Sequence, residues 1–366
     1  MNQEPSSTRR ATTARGYEPP ARDAAITLAL DANEGPALPA AMAAALARDL
    51  VDPDLWRRYP DERPLRQWLA STCGVPFAGT ALGAGADELL DRACRTYLPA
   101  GATLVAPTPC FAMLRQYVAA AGGTLHGVPW LGGPLPVDAL VAAVQRTAAP
   151  VLAITSPNNP TGLAATTAEL TTLAAALPKT LLLVDLAYVE FADSDPTAAL
   201  LRSGNVLVLR TASKAHGLAG LRVGYALGTP DVVTPLRGAA GPFPCSSLSL
   251  RLCLRVLARG GNPAGVAAVR AERAPLAAAL QALGFAALPS QANFVFATGR
   301  PAAASWLVQS LRAQGIGIRS FRSDDPQLAG AVRITCPGNA ADFARLGQAL
   351  AAARSQHTAA ADGGGA

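Results

Sequence analysis

Short apolar runs, each closed by a turn, recur through the middle of this chain. PVLAITSPNNPTG (150–162), TLLLVDLAYVEF (180–191) and NVLVLRTASK (205–214) all begin with a continuous apolar stretch. Runs of that length, separated by helical segments, predict parallel strands buried on both faces. Upstream, TALGAGADELLDRACRTYL (80–98) predicts a strand end, a glycine turn and a helix. ATLVAPTPCF (102–111) predicts a strand and turn, and AMLRQYVAAAGG (112–123) a helix closed by two glycines. Polar residues collect where each strand ends, and in open α/β sheets the ligand crevice lies outside those carboxyl ends. The expected fold class is therefore α/β with a mostly parallel central sheet.

The pattern changes after about residue 235. A long helical region from SSLSLRLCLRVLAR through AERAPLAAALQALG precedes three short strand patterns, QANFVFAT, GIGIRS and AVRITCPG. That mixture predicts a smaller α+β lobe. Near the start, ITLALDANEGP is a short apolar run ending in turn residues, and a helical pattern follows from Pro39 to Leu50. The expected division is an N-terminal arm over 1–34, loose at its start and joining the small lobe. A large α/β domain covers 35–235, a small α+β domain 236–354, and a loose tail 355–366.

Composition narrows the function classes. Half of the 366 residues are hydrophobic, enough for a large core. No apolar run reaches the roughly 18–20 residues of a membrane span, and no apolar segment follows Arg9-Arg10 to make an export signal. The net charge of +6 comes from scattered arginines without a basic block, so no nucleic-acid partner is expected. Six cysteines show no metal spacing with the three histidines, which reads as free thiols in a reducing cytoplasm, with no metal.

The lysines sharpen the picture. The chain has two, Lys179 and Lys214, against a Lys+Arg total of 31. A primary amine can lose its proton and attack a carbonyl, which a guanidinium cannot do. Lys214 stands in a turn, RTASKAHGLAGLRVG (210–224), with Thr211, Ser213 and Arg222 around it as two hydroxyls and a bidentate donor. Asp185 ends the strand LLLVD, where a buried carboxylate needs a cation or donors. Tyr188 lies three residues on, and Asn159 sits in a rigid turn between Pro157 and Pro160. Gly85-Ala86-Asp87 opens a helix whose free N–H groups favour an anion. A dinucleotide fingerprint is absent, because LGAGADE lacks its third glycine.

Taken in order, SPNNPTG, VDLAY and TASK, with an arginine eight residues after the lysine, resemble the class I/II pyridoxal-phosphate aminotransferases of fold type I. The resemblance runs from about Tyr17 to about Leu350. It implies pyridoxal 5'-phosphate as cofactor, with Lys214 as its Schiff-base lysine and proton carrier and Asp185 against the pyridine nitrogen. Tyr188 and Asn159 would meet the phenolic oxygen, and Phe111 would stack on the ring. Gly85, Ala86, Asp87, Thr211, Ser213 and Arg222 would hold the phosphate.

Within that superfamily LDANEGP, RRYPD, GADELLD, SKAHGLAGLRVGY, PSQANFVF and GIGIRS…VRIT look most like the histidinol-phosphate branch. That likeness implies a homodimer in which Tyr59 reaches the neighbouring subunit's cofactor phosphate. It also implies that Arg333, Arg319, Tyr17 and Asn159 bind the substrate, with 2-oxoglutarate and glutamate as the amino pair. Departures fall on the substrate side: Leu186 replaces an acidic residue, Leu114 a tyrosine, and NEGPALP lacks a second asparagine. An aromatic or other amino-acid aminotransferase, or a phosphothreonine decarboxylase, fits the same motifs. His216 reads as wall lining. A regulator built on this fold would need an added DNA-binding domain, for which the first sixteen residues leave no room.

Overall fold

The apolar runs form strands where their pattern places them. The computed structural model describes residues 23–321 and 326–362, with backbone alone from 356 onward. In chain order the strands are β1 (Leu28–Leu30), β2 (Thr80–Gly83), β3 (Thr103–Thr108), β4 (Thr124–Pro129), β5 (Val151–Thr155) and β6 (Leu181–Asp185). They continue with β7 (Val206–Thr211), β8 (Gly224–Gly228), β9 (Ala286–Ala287), β10 (Phe294–Thr298), β11 (Ile316–Ser320) and β12 (Ala331–Thr335). Seven of them make one sheet in the order β2-β8-β7-β6-β5-β3-β4, and five make a second in the order β1-β11-β12-β10-β9.

The large sheet is parallel except at β8, which runs antiparallel to both neighbours. Its strands are apolar without alternation because both faces are covered. Leu152, Ile154, Leu182 and Val184 enter one core, while Val151, Ala153, Leu183 and Leu207 enter the other. Successive side chains point to opposite faces, so a two-sided burial demands an unbroken apolar run.

In the second sheet β1 pairs in parallel with β11, and β10, β11 and β12 pair antiparallel. Its core holds Phe294, Ile316, Val332 and Ile334, and it also takes in Tyr188 and Phe191 from the segment after β6. The arm strand thus ties the start of the chain to the sheet built from its end. Two details depart from the expected pattern. The helix after Pro39 is α-helical only over Ala40–Ala47 before tightening to a 3₁₀ turn, and the last helix runs on to Asp362, into the expected loose tail. Alanine-rich segments carry high helix propensity, which the tail's glycine-rich ending masks.

Candidate active site

Three neighbouring parallel strands bring the chemistry together. Asp185 ends β6 in register with Thr155 of β5 and Leu209 of β7. The turns that follow β5 and β7 carry Asn159 and Lys214, so all three side chains leave the same edge of the sheet. The SPNNPTG turn is held from within. Asn158 donates to the carbonyl of Pro109 and to Thr161 Oγ1, both at 2.9 Å, and Ser156 N–H donates to the carbonyl of Asp185 at 2.9 Å. With Asn158 spent on the turn, Asn159 is the one available to the site.

Among the described residues Asp185 accepts a single hydrogen bond, from the Ala187 N–H at 3.0 Å. Burial pushes its carboxyl up to about 7, and the Ala187 hydrogen bond and the charge of Lys214 only partly offset this. A carboxylate so poorly compensated gains strongly from any cation or N–H brought to it. Lys214 Nζ approaches the carbonyl of Ala32 at 3.4 Å and sits 5.7 Å from the centre of the Tyr188 ring.

An anion cradle faces these groups. Gly85 precedes the helix Ala86–Tyr97 at φ 87°, and no side chain caps that helix. A Cβ at Gly85 would come within 2.4 Å of Arg222 Nη2 and would push the guanidinium off the helix start, and the positive φ itself favours glycine. Thr211 Oγ1 donates to Ser213 Oγ at 2.9 Å, and Arg222 Nη1 reaches Ser213 Oγ at 3.5 Å. Asp87 lies 3.5 Å from Arg222, both about half exposed. Helix amides, two hydroxyls and a guanidinium are the donor set a phosphate requires.

Arg333, on β12, spans the two sheets. It donates to Asn159 Oδ1 at 2.6 Å and to the carbonyl of Asp31 at 2.7 Å, and it is 7% exposed. Arg319 stands opposite it across the β11–β12 pair. Phe111 is half-buried at the start of the helix Ala112–Ala120, after β3. Tyr59 is 82% exposed and stacks on Phe243, and Tyr17 lies outside the described residues.

Comparison with known proteins places this geometry. Residues 26–350 match the model of the family Aminotransferase class I and II. The chain belongs to the class I and II aminotransferases. It is 35% identical over 79% of its length to a histidinol-phosphate aminotransferase of Symbiobacterium thermophilum, covering 81% of that protein. An aromatic amino acid aminotransferase of Mycobacteroides abscessus is 37% identical over 74% of the chain and 79% of its own length. The crystal structure of histidinol-phosphate aminotransferase from Sinorhizobium meliloti, in complex with pyridoxal-5'-phosphate, superposes with a TM-score of 0.81 at 30% identity. That alignment covers 90% of this chain and 91% of the other. The chain is thus an aminotransferase of fold type I.

Asn33, Arg210 and Glu190, close to the site residues in the fold, were not singled out by sequence. Asn33 donates to the Tyr188 hydroxyl at 3.1 Å. Arg210 bridges Glu190 and Asp195, each at 2.9 Å, beneath the Lys214 turn. Burial works against the Glu190 carboxylate, yet the neighbouring His216 ring and the Arg210 guanidinium hold it below the ordinary range. His216, 3.6 Å from Glu190, lines a cavity of about 610 Å³ with Asn262 and Arg270. Neither Lys214 nor Asp185 borders that cavity, which makes it a separate hollow against the helix Pro263–Gln281.

Proposed function

We propose that this aminotransferase binds pyridoxal 5'-phosphate and moves the amino group of histidinol phosphate to 2-oxoglutarate. The cofactor, when bound, supplies an electron-withdrawing ring that makes the hydrogen on the amine-bearing carbon acidic. Lys214 is the amine that would hold the cofactor through its carbonyl group, and its Nζ, when free, would carry the proton. Asp185 keeps a proton on the ring nitrogen. Asn159 and Tyr188 meet the phenolic oxygen, and Phe111 covers a ring face. The Gly85-Ala86-Asp87 turn, Thr211, Ser213 and Arg222 hold the phosphate.

The observation that carries the substrate reading is the pairing of Arg319 with Arg333 across adjacent antiparallel strands. Like charges directly opposite one another destabilise a strand pair. A dianionic phosphate ester relieves that repulsion and accepts from both guanidiniums, and Tyr17 is proposed to join them. The 37% identical aromatic aminotransferase supports a second reading, in which Arg333 holds a substrate carboxylate.

A homodimer is proposed on an exposed apolar patch. Val51, Trp56, Tyr59 and Phe243 are 83%, 63%, 82% and 50% exposed, and such a patch marks an association surface. It would let Tyr59 reach the second copy's phosphate site. Two lobes, one on each sheet, and a cytoplasmic location are proposed, the latter on six cysteines outside any disulfide. The expected boundaries at 235/236 and 354/355 fall inside the helices Pro230–Gly238 and Ala340–Asp362, so the lobes do not divide there.

A half-reaction screen tests the substrate. Purified enzyme is mixed in turn with histidinol phosphate, phenylalanine, glutamate and phosphothreonine, and loss of the bound cofactor's visible absorbance is followed. Histidinol phosphate is expected to react fastest of the non-glutamate amines. Equal or faster reaction of phenylalanine would replace it with the aromatic reading. Carbon dioxide release from phosphothreonine would make the enzyme a decarboxylase.

A further inference from the structure

Two side-chain amides meet at the hydroxyl of Tyr188. Asn33 Nδ2 lies 3.1 Å from it, and Asn159 Nδ2 lies 3.5 Å away, at the outer limit of a hydrogen bond. Each amide is oriented from behind. Asn159 Oδ1 accepts from Arg333, a group that only donates, so its NH₂ must face the tyrosine. Asn33 is held by Thr335: its N–H donates to Thr335 Oγ1 at 3.2 Å, and the threonine hydroxyl donates back to Asn33 Oδ1 at 3.3 Å. With the amide reversed, the buried Thr335 hydroxyl would lose that acceptor. Arg333 and Thr335 stand two apart on β12, so one strand sets the direction of both amides.

Asn33 is 1% exposed and adopts φ 53°, in the left-handed region that asparagine tolerates better than most residues. A hydroxyl that accepts from amides must give its own proton to a different acceptor. We propose that Asn33 is a positioning residue. It fixes the Tyr188 hydroxyl as a donor, so that the proton goes to the anionic oxygen of the cofactor instead of to a protein group. The proposal rests on the cofactor reading above. A donor at that oxygen favours the bound form in which the oxygen carries most negative charge, the form that has lost the neighbouring proton. Asn33 therefore holds down the pH midpoint of the bound cofactor's visible absorbance change.

Asn33→Asp tests this, because it keeps the shape and the left-handed tolerance while exchanging a donor for an acceptor. The midpoint is expected to rise by about one pH unit, the scale of one charge-assisted hydrogen bond, and the cofactor to dissociate faster. Asn33→Gly removes the side chain without backbone strain or added charge and is expected to shift the midpoint the same way. In a Tyr188→Phe background Asn33→Gly should not move the midpoint further, and Asn33→Asp should move it only by the direct effect of its added charge. Thermal unfolding of the apoproteins identifies which variants are folded. An unchanged midpoint in a folded variant, or an undiminished Asn33→Gly shift in the Tyr188→Phe background, overturns the proposal. A wild-type protein with no visible band when given the cofactor overturns the cofactor reading instead, and the proposal falls with it.

Discussion

A Cβ on Gly35 would lie 1.5 Å from the carbonyl oxygen of Lys214. The loop after β1 therefore packs directly on the backbone that carries the reactive amine, and no side chain of any size fits between them. The expected result of Gly35→Ala is a displaced Lys214 turn. Overpacking of this kind costs about 2–3 kcal/mol. Urea unfolding of the apoprotein should show the loss, together with weaker cofactor binding. A stability within about 0.5 kcal/mol of wild type, the range of an ordinary surface substitution, would show that the loop can move aside.

Asp185 makes a prediction about pH. Its carboxyl is raised from 3.8 to about 7, chiefly by burial. Between those two values the folded apoprotein holds a proton that the unfolded chain has released. Stability from this group is thus complete below the lower value and lost as pH rises to the upper. Asp185→Asn removes the titration. The apoprotein variant is expected to gain on wild type progressively from about pH 4, level off above about pH 7, and end roughly 2–4 kcal/mol more stable. The same variant should transaminate at least about a hundredfold more slowly, since it has lost the charge that holds the ring proton. A stability difference that does not change with pH would place the Asp185 carboxylate in a solvated setting.

Arg333 should prove sensitive to conservative change. Arg333→Lys keeps a positive charge but not the fork that serves Asn159 Oδ1 and the Asp31 carbonyl together. With one of two charge-assisted bonds lost, kcat/KM for the amino donor is expected to fall about ten- to a hundredfold. Unchanged steady-state kinetics would mean the arginine serves only to join the sheets.

The exposed aromatic patch predicts self-association. Trp56, 63% exposed, stands on solvent-facing surface in the single chain. Trp56→Asp is therefore expected to leave the fold intact while weakening the dimer. Sedimentation velocity should give a dimer for wild type and a shift toward monomer for the variant. A wild-type monomer at micromolar concentration would remove the role proposed for Tyr59.

The central sheet was legible because burial on both faces forces unbroken apolar runs, and β5, β6 and β7 carry them. The Lys214 turn was legible because one of the chain's two lysines stood out among arginines. Asn33 was not, since an asparagine in DANEGP reads as a turn residue and its partner Tyr188 is 155 positions away. Glu190 and Arg210 were missed for a similar reason. In sequence each looks like a solvated charge, and only the fold buries them as a pair, at 16% and 13% side-chain exposure.

The attachment of the cofactor to Lys214 can be measured directly, because the chain supplies its own control. Lys179 is an exposed lysine at the end of the segment before β6, and no third lysine exists. Borohydride converts a carbonyl compound held on a lysine into a stable secondary amine, which peptide mass mapping can locate. After incubation with pyridoxal 5'-phosphate and reduction, one cofactor per chain is predicted on the peptide containing Lys214, and none on that region in Lys214→Ala. Label confined to Lys179, or a Lys214→Ala protein that still transaminates at near-normal rate, would contradict the account.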